Sequence, residues 1–188
     1  PWYWCGGIES EGAVSIMTNN VIYGMPAPKS AGIFITEGEI PFGDVELNAN
    51  TIDGGGGGNN GNISAAIACR TSQGQNAMIG DVRNNILTGG QSNNSFGLFE
   101  DDQINGRTCA PDNYENNAIY NAGNAHRQWS GGGFAIVLPS VAAVNMTLGY
   151  AQDNVDTDCD LDSTWYLMGG SPCVDMGTMT EAPATDFE

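Results

Sequence analysis

Positive charge is nearly absent from this sequence. Twenty-two carboxylates face only Lys29, Arg70, Arg83, Arg107 and Arg127, for a formal net charge of -17. A phosphate backbone needs a groove of clustered cations, and five scattered ones cannot build it. Nucleic acid and bare anionic lipid are therefore excluded as partners, while cations, basic partner surfaces and neutral glycans suit the acidic surface. Histidine is confined to His126, and Cys5, Cys69, Cys109, Cys159 and Cys173 contain no CxxC unit. That donor set excludes a zinc site. Long apolar runs are missing too: the best, Phe134 to Val144, is too short to cross a bilayer and contains Pro139. No integral membrane span is expected. Nor does any stretch keep apolar residues at three-and-four spacing over the roughly ten positions of an ordinary helix.

What the sequence does have is a recurring asparagine. Met17-Thr18-Asn19-Asn20-Val21-Ile22, Leu47-Asn48-Ala49-Asn50-Thr51-Ile52, Val82-Arg83-Asn84-Asn85-Ile86-Leu87 and Tyr114-Glu115-Asn116-Asn117-Ala118-Ile119 repeat one phrase, with Ala143-Val144-Asn145-Met146-Thr147-Leu148 as a weaker fifth copy. Asn20, Asn50, Asn85, Asn117 and Asn145 are spaced 30, 35, 32 and 28 residues apart. A period of that length argues for a solenoid. A second register runs through Ala31-Gly32-Ile33-Phe34-Ile35, Ala65-Ala66-Ile67-Ala68, Ser95-Phe96-Gly97-Leu98-Phe99 and Gly133-Phe134-Ala135-Ile136-Val137. Ile33, Ile67 and Leu98 precede the next repeat Asn by 17, 18 and 19 residues, so each coil holds at least two short strands at a nearly fixed interval.

These segments alternate apolar and polar positions over a few residues before a turn, which suits strands. The expectation is an all-β, right-handed parallel β-helix of about five irregular coils. The repeated Asn is expected at a turn, bonded to main chain and to the Asn above and below, which satisfies buried polarity without charge. Glycine, at 27 of 188 residues, is about twice ordinary usage and lacks a collagen period. The excess belongs to corners and loops, including 54–61, 101–112 and 121–132. The length suits one domain over 1–188, with an Asp-rich and Cys-containing terminal segment at 153–188. The opening Pro1-Trp2-Tyr3-Trp4-Cys5 has no initiator Met. Either a removed leader or a longer secreted polypeptide accounts for that, and Trp2, Tyr3 and Trp4 are expected to cover the open solenoid end or dock on a further coil.

Cys159 and Cys173, fourteen residues apart, are the best disulfide pair. Cys69 and Cys109 lie in adjacent repeats and form a second bridge if their registers match; Cys5 is left over. Asp156-Thr157-Asp158-Cys159-Asp160-Leu161-Asp162 alternates, so an extended conformation puts four carboxylates on one side. Calcium is the cation such a run would take, although Leu161 and Leu167 depart from an EF-hand. His126 and Arg127 beside Trp129 form a candidate sugar-facing patch, a planar ring flanked by polar donors.

The tail Ser171-Pro172-Cys173-Val174-Asp175-Met176-Gly177 resembles the SPxxDxG phrase that closes many secreted right-handed β-helix domains of the pectate-lyase-like superfamily, and the Asn-Asn-x-Ile repeats are similar to its coils. The resemblance implies that Pro172 enters a last rung in extended form. It is specific for architecture and unspecific for activity. Pectin hydrolases of that superfamily carry adjacent aspartates, which Asp101 and Asp102 match, but their Gly-His-Gly and Arg-x-Lys motifs are missing here and Asn50-Thr51-Ile52 lacks a closing Asp. Its lyases use calcium with an Arg or Lys, for which Arg107, His126 and Arg127 are the candidates.

The function expected is therefore a non-catalytic structural or recognition protein, extracellular or at a cell surface, that presents loops from a rigid β-helix to another surface protein, to further coils or to an extracellular glycan. No cofactor is firmly implied beyond the calcium option. The alternative is a polysaccharide lyase or glycoside hydrolase built on Asp101, Asp102, Arg107 and His126.

Overall fold

Segments of two to eight residues, each too short to hold an isolated hairpin, gain order by stacking on their counterparts one repeat away. The computed structural model describes residues 4–11, 14–36, 44–56, 62–71, 79–101, 109–129, 134–174 and 176–177. The first coil comprises β1 (Cys5–Glu11), β2 (Ser15–Thr18) and β3 (Val21–Tyr23), and the second β4 (Lys29–Thr36), β5 (Val45–Asn48) and β6 (Thr51–Asp53). A third holds β7 (Ile63–Arg70), β8 (Ile79–Arg83) and β9 (Ile86–Thr88), and a fourth β10 (Asn94–Glu100), β11 (Pro111–Glu115) and β12 (Ala118–Tyr120). The last coil is irregular: β13 (Asn124–Trp129), β14 (Ala135–Leu138), α1 (Val141–Thr147) and β15 (Ala151–Gln152).

Three sheets result, ordered β1-β4-β7-β10-β13-β14, β15-β11-β8-β5-β2 and β12-β9-β6-β3. Every pairing between coils is parallel; only β14 turns back antiparallel on β13. This is a right-handed parallel β-helix. Register partners share residue character, so the core forms columns. Ile33 pairs with Ile67 and Ile67 with Leu98; Leu47 with Val82 and Val82 with Tyr114; Ile22, Ile52, Leu87 and Ile119 follow in the third sheet. All belong to one buried cluster, and each aliphatic side chain so buried contributes roughly 1.5–3 kcal/mol.

The long strands of the first sheet are bent. Ile33 and Ile35 point into the core, whereas Ala31 and Phe34 share an outer cluster with Trp4, Ala65, Ala68, Phe96 and Phe99. A flat strand of period two cannot place 31 and 34 on one face, so the strand bends near Gly32 and turns Ala31 and Phe34 to the outer side. A Cβ on Gly32 would lie 2.4 Å from Ile52 Cγ2, which explains the small residue there.

Asparagines join the second and third sheets in a continuous ladder. The backbone N–H and Nδ2 of Asn20 donate to Asn50 Oδ1 at 3.1 and 3.0 Å, those of Asn50 to Asn85 Oδ1 at 2.9 and 3.0 Å, and those of Asn85 to Asn117 Oδ1 at 3.0 Å each. Asn117 donates in the same way to Asn154. Each interior Nδ2 also reaches a main-chain oxygen of the preceding coil, as Asn85 does to Leu47 at 2.9 Å. The residue before each Asn is left-handed, with φ of 55, 54, 56, 53 and 54° at Asn19, Ala49, Asn84, Asn116 and Asp153.

The last coil corrects several expectations. Asn145 lies in α1, not in a fifth strand phrase; the fifth rung is Asn154. Asn145 closes the ladder from the helix, accepting at Oδ1 from Asn154 Nδ2 at 2.9 Å and N at 3.3 Å. The fourth inward copy in the first sheet is β13, inside the stretch expected as loop 121–132. Within the phrase at 133–137, Ala135 to Val137 belong instead to the antiparallel return β14, and Phe134 and Val137 are exposed. Ser140 caps α1 by accepting from Ala143 N at 3.2 Å. Pro172 sits in a turn rather than an extended rung, because Ser171 Oγ accepts from Cys173 N and donates to Cys159 O. Trp4 packs in the outer cluster rather than covering the solenoid end; Trp2 and Tyr3 lie outside the described residues.

Candidate functional site

The third residue after each ladder Asn faces outward from the third sheet. Parallel register aligns them: Tyr23 pairs with Asp53, Asp53 with Thr88, and Thr88 with Tyr120. Asp53 accepts from the Thr88 hydroxyl and, through its other oxygen, from Gly55 N at 2.8 Å, which fixes it in the column.

The chain then supplies the opposite wall. Val155 bridges Ala118, its N–H donates to Asn117 O at 2.9 Å, and Ile119 N–H donates to Val155 O at 2.9 Å. From there the acidic tail runs back over the outer face of the third sheet. Its Trp165 meets Tyr23 of the first coil edge-on, with ring centroids 5.0 Å apart. Cys159 and Cys173 are joined by a disulfide, which closes the tail on itself. Asp162 Oδ1 accepts from Thr164 N and Oγ1 at 2.7 Å and from Tyr166 N at 3.1 Å, building the turn that presents Trp165. Those bonds, Thr164's first among them, hold the Asp162 carboxyl below the usual carboxylate range. Trp165 itself is left-handed, φ 68°, an uncommon strain for a bulky residue and one that occurs where a turn or a binding site requires it.

Between column and tail lies a cleft of about 250 Å³ lined by Thr88, Tyr120, Asn121, Asp158, Leu161, Asp162 and Trp165. A second cleft of about 520 Å³, lined by Gly90 to Asn93, Ser95 and Asn121 to Gly123, meets it at Asn121. The larger cleft lies at the turns that follow β9 and β12 and is lined by amides and hydroxyls, and the smaller one is lined by rings and carboxylates. Burial, then the charges of Asp158, Asp53 and Asp160, push the Tyr120 phenol up to about 12. The carboxylates of Asp158 and Asp162 make the smaller cleft acidic. No cation lines it among the described residues, because the basic side chains are engaged elsewhere: Lys29 and Arg70 on Asp101, Arg83 on Asp81 and Glu115, Arg127 over Phe99.

The residues singled out from sequence are distributed differently. Asp101 sits beside the outer cluster of the first sheet, bound by Arg70 Nη2 at 2.7 Å, Lys29 Nζ at 3.2 Å and Trp4 Nε1 at 3.0 Å. Burial raises its pKa, but these bonds and charges outweigh it and hold the carboxyl below the usual range. Asp102 and Arg107 lie outside the described residues. His126 is turned to the opposite side of the sheet from Asp101. It is wholly buried, with Nε2 2.8 Å from Glu100 Oε1. The Glu100 carboxylate, also buried, accepts from Trp129 N at 3.0 Å and Tyr150 hydroxyl at 3.4 Å. His126 Nδ1 and the Tyr114 hydroxyl complete this internal cluster without hydrogen-bond partners among the described residues. Strand alternation thus removes His126 from the patch expected with Arg127 and Trp129. Those two remain on the outer face, the Arg127 guanidinium 4.5 Å over Phe99 and 5.4 Å over Trp129.

Of the four tail aspartates, Asp158 and Asp162 line the cleft. All four are exposed, Asp158 and Asp162 no less than Asp156 and Asp160, and no group of three or more His, Cys, Asp or Glu gathers to hold a metal ion among the described residues. Cys69 and Cys109 are both buried, the Cys69 thiol donating to Cys109 O at 3.5 Å; no disulfide joins them, and Cys5 is an exposed thiol. No helix among the described residues is long and apolar enough to cross a membrane. Sequence reasoning did not single out Tyr23, Asp53, Thr88 and Tyr120, although the repeat itself carries the signal: each stands three residues beyond an aligned Asn. No family model, curated protein or solved structure matches this chain.

Proposed function

We propose that this chain is a non-catalytic extracellular recognition scaffold, akin in architecture to the pectate-lyase-like superfamily, that holds an extended glycan along its third sheet. The observation that carries the reading is the pair of clefts that meet at Asn121. The larger cleft offers neutral hydrogen-bonding groups, and the smaller one offers an indole and a phenol for stacking on a sugar ring. The larger cleft falls within the ~300–1,000 Å³ usual for ligand sites. A packed core and an unbroken amide ladder make the scaffold rigid, so little ordering cost accompanies binding. Extracellular placement is supported by the Cys159–Cys173 disulfide, which persists in oxidising compartments.

A non-catalytic role agrees with the state of Asp101. A carboxylate held ionised by Arg70, Lys29 and Trp4 is poorly suited to donate a proton to a glycosidic oxygen. Calorimetry against neutral, amino and uronate oligosaccharides, with product sizing of each mixture, tests the proposal. Saturable binding with chain length unchanged is expected. Chain scission would favour the lyase or hydrolase alternative, and no binding to any of the panel would refute glycan recognition.

A further inference from the structure

We infer that the smaller, acidic cleft selects a sugar unit carrying a protonated amine. The inference rests on the glycan reading and adds the class of sugar. Asp158 and Asp162 flank a cleft walled by Tyr120 and Trp165. A carboxylate beside aromatic faces is the environment that stabilises an organic ammonium, by charge from one side and by ring quadrupoles from the others. Asp53, anchored by Gly55 and Thr88, adds a fixed negative charge in the same column, separated from Tyr120 by Thr88.

Competing ligand classes fit less well. A uronate would bring its carboxylate against Asp158 and Asp162 with no lining cation among the described residues to offset the repulsion. A hard divalent ion asks for six to eight oxygens, and one oxygen of each flanking Asp is already used locally: Asp158 Oδ1 accepts Asp160 N at 3.1 Å, and Asp162 Oδ1 carries its turn. A basic peptide would find no apolar recess in the larger cleft, where Gln91, Ser92, Asn93, Ser95 and Asn121 present amides and hydroxyls. A saccharide places hydroxyls against those groups and an ammonium against the acids at once.

The test is calorimetry of the full chain, at mildly acidic pH and low salt, with a glucosamine tetramer, its fully N-acetylated counterpart and an oligolysine of equal charge. The amine-bearing tetramer is expected to bind at least about tenfold more tightly than the acetylated one. Asp158→Asn keeps the acceptor for Asp160 N and is expected to erase that difference while leaving the acetylated tetramer unchanged. Glu46→Gln, an equal loss of charge on the second sheet, is expected to leave both affinities as they are. Equal binding of the two tetramers would overturn the amine preference and leave glycan recognition standing. Failure of both tetramers would remove the glycan reading and this inference with it. Oligolysine binding as tightly as the amine tetramer, or equal effects of Asp158→Asn and Glu46→Gln, would show diffuse attraction to an acidic protein and overturn the site.

Discussion

Asn85 makes more hydrogen bonds than its size suggests. Its Oδ1 receives two donors from Asn50, and its Nδ2 serves both Leu47 O and Asn117 Oδ1. Asn85→Ala strands several buried groups at once, and urea denaturation is expected to show a loss of about 2–4 kcal/mol. Asn145→Ala, at the ladder's end, is expected to cost about 1 kcal/mol by the same measurement. Ala49 occupies a left-handed position where the other rungs have Asn or Asp. Ala49→Asn is expected to stabilise by about 0.5–1 kcal/mol, read as a rise in denaturation midpoint. Asp101 links charge to stability. Its folded pKa lies below the unfolded one, so its contribution is present above the unfolded carboxylate value, ~3.9, and disappears as pH falls through the folded value. Acid titration of Asp101→Asn should therefore show a shallower loss of stability at the acid end than the parent protein.

At the scale of elements, the tail is the piece whose placement creates the smaller cleft. Its closure over fourteen residues by Cys159–Cys173 removes roughly 3 kcal/mol of unfolded-loop entropy. Replacing both cysteines with serine is expected to raise hydrogen exchange at the Met168 and Trp165 amides, which donate to Asp160 O and Asp162 O. Exchange in β7 to β10 should stay as it is, and affinity for any cleft ligand should fall. The strands were legible because inward aliphatics and ladder asparagines recur at fixed offsets. The helix was not. Asn145-Met146-Thr147-Leu148 imitates the repeat word, whereas Asp153-Asn154-Val155 carries the left-handed residue, the amide and the β-branched follower that a rung needs.

Across the whole molecule, the two ends differ. The last coil is closed by β14, α1 and Asn145, while β1, β2 and β3 are terminal strands in their sheets, with Val14 and Ile16 about two-thirds exposed. Stability in a stacked array follows the neighbours each coil has. Hydrogen exchange is expected to be fastest in β1 to β3, slowest in β5 to β10, and intermediate in β13 and β15. Uniform protection along the axis would mean that the array opens only as a unit.

The recurrence of Asn and of inward Ile, Leu and Val determined the coil and its registers, because parallel stacking rewards like residues at like positions and needs only local spacing to be read. The bend near Gly32, the inward turn of His126 onto Glu100 and the meeting of Asp158, Trp165 and Tyr120 were decided by tertiary structure alone. Each depends on which face a strand presents after a bend, or on where a tail without a repeat of its own folds back, and neither is set by residues near in sequence.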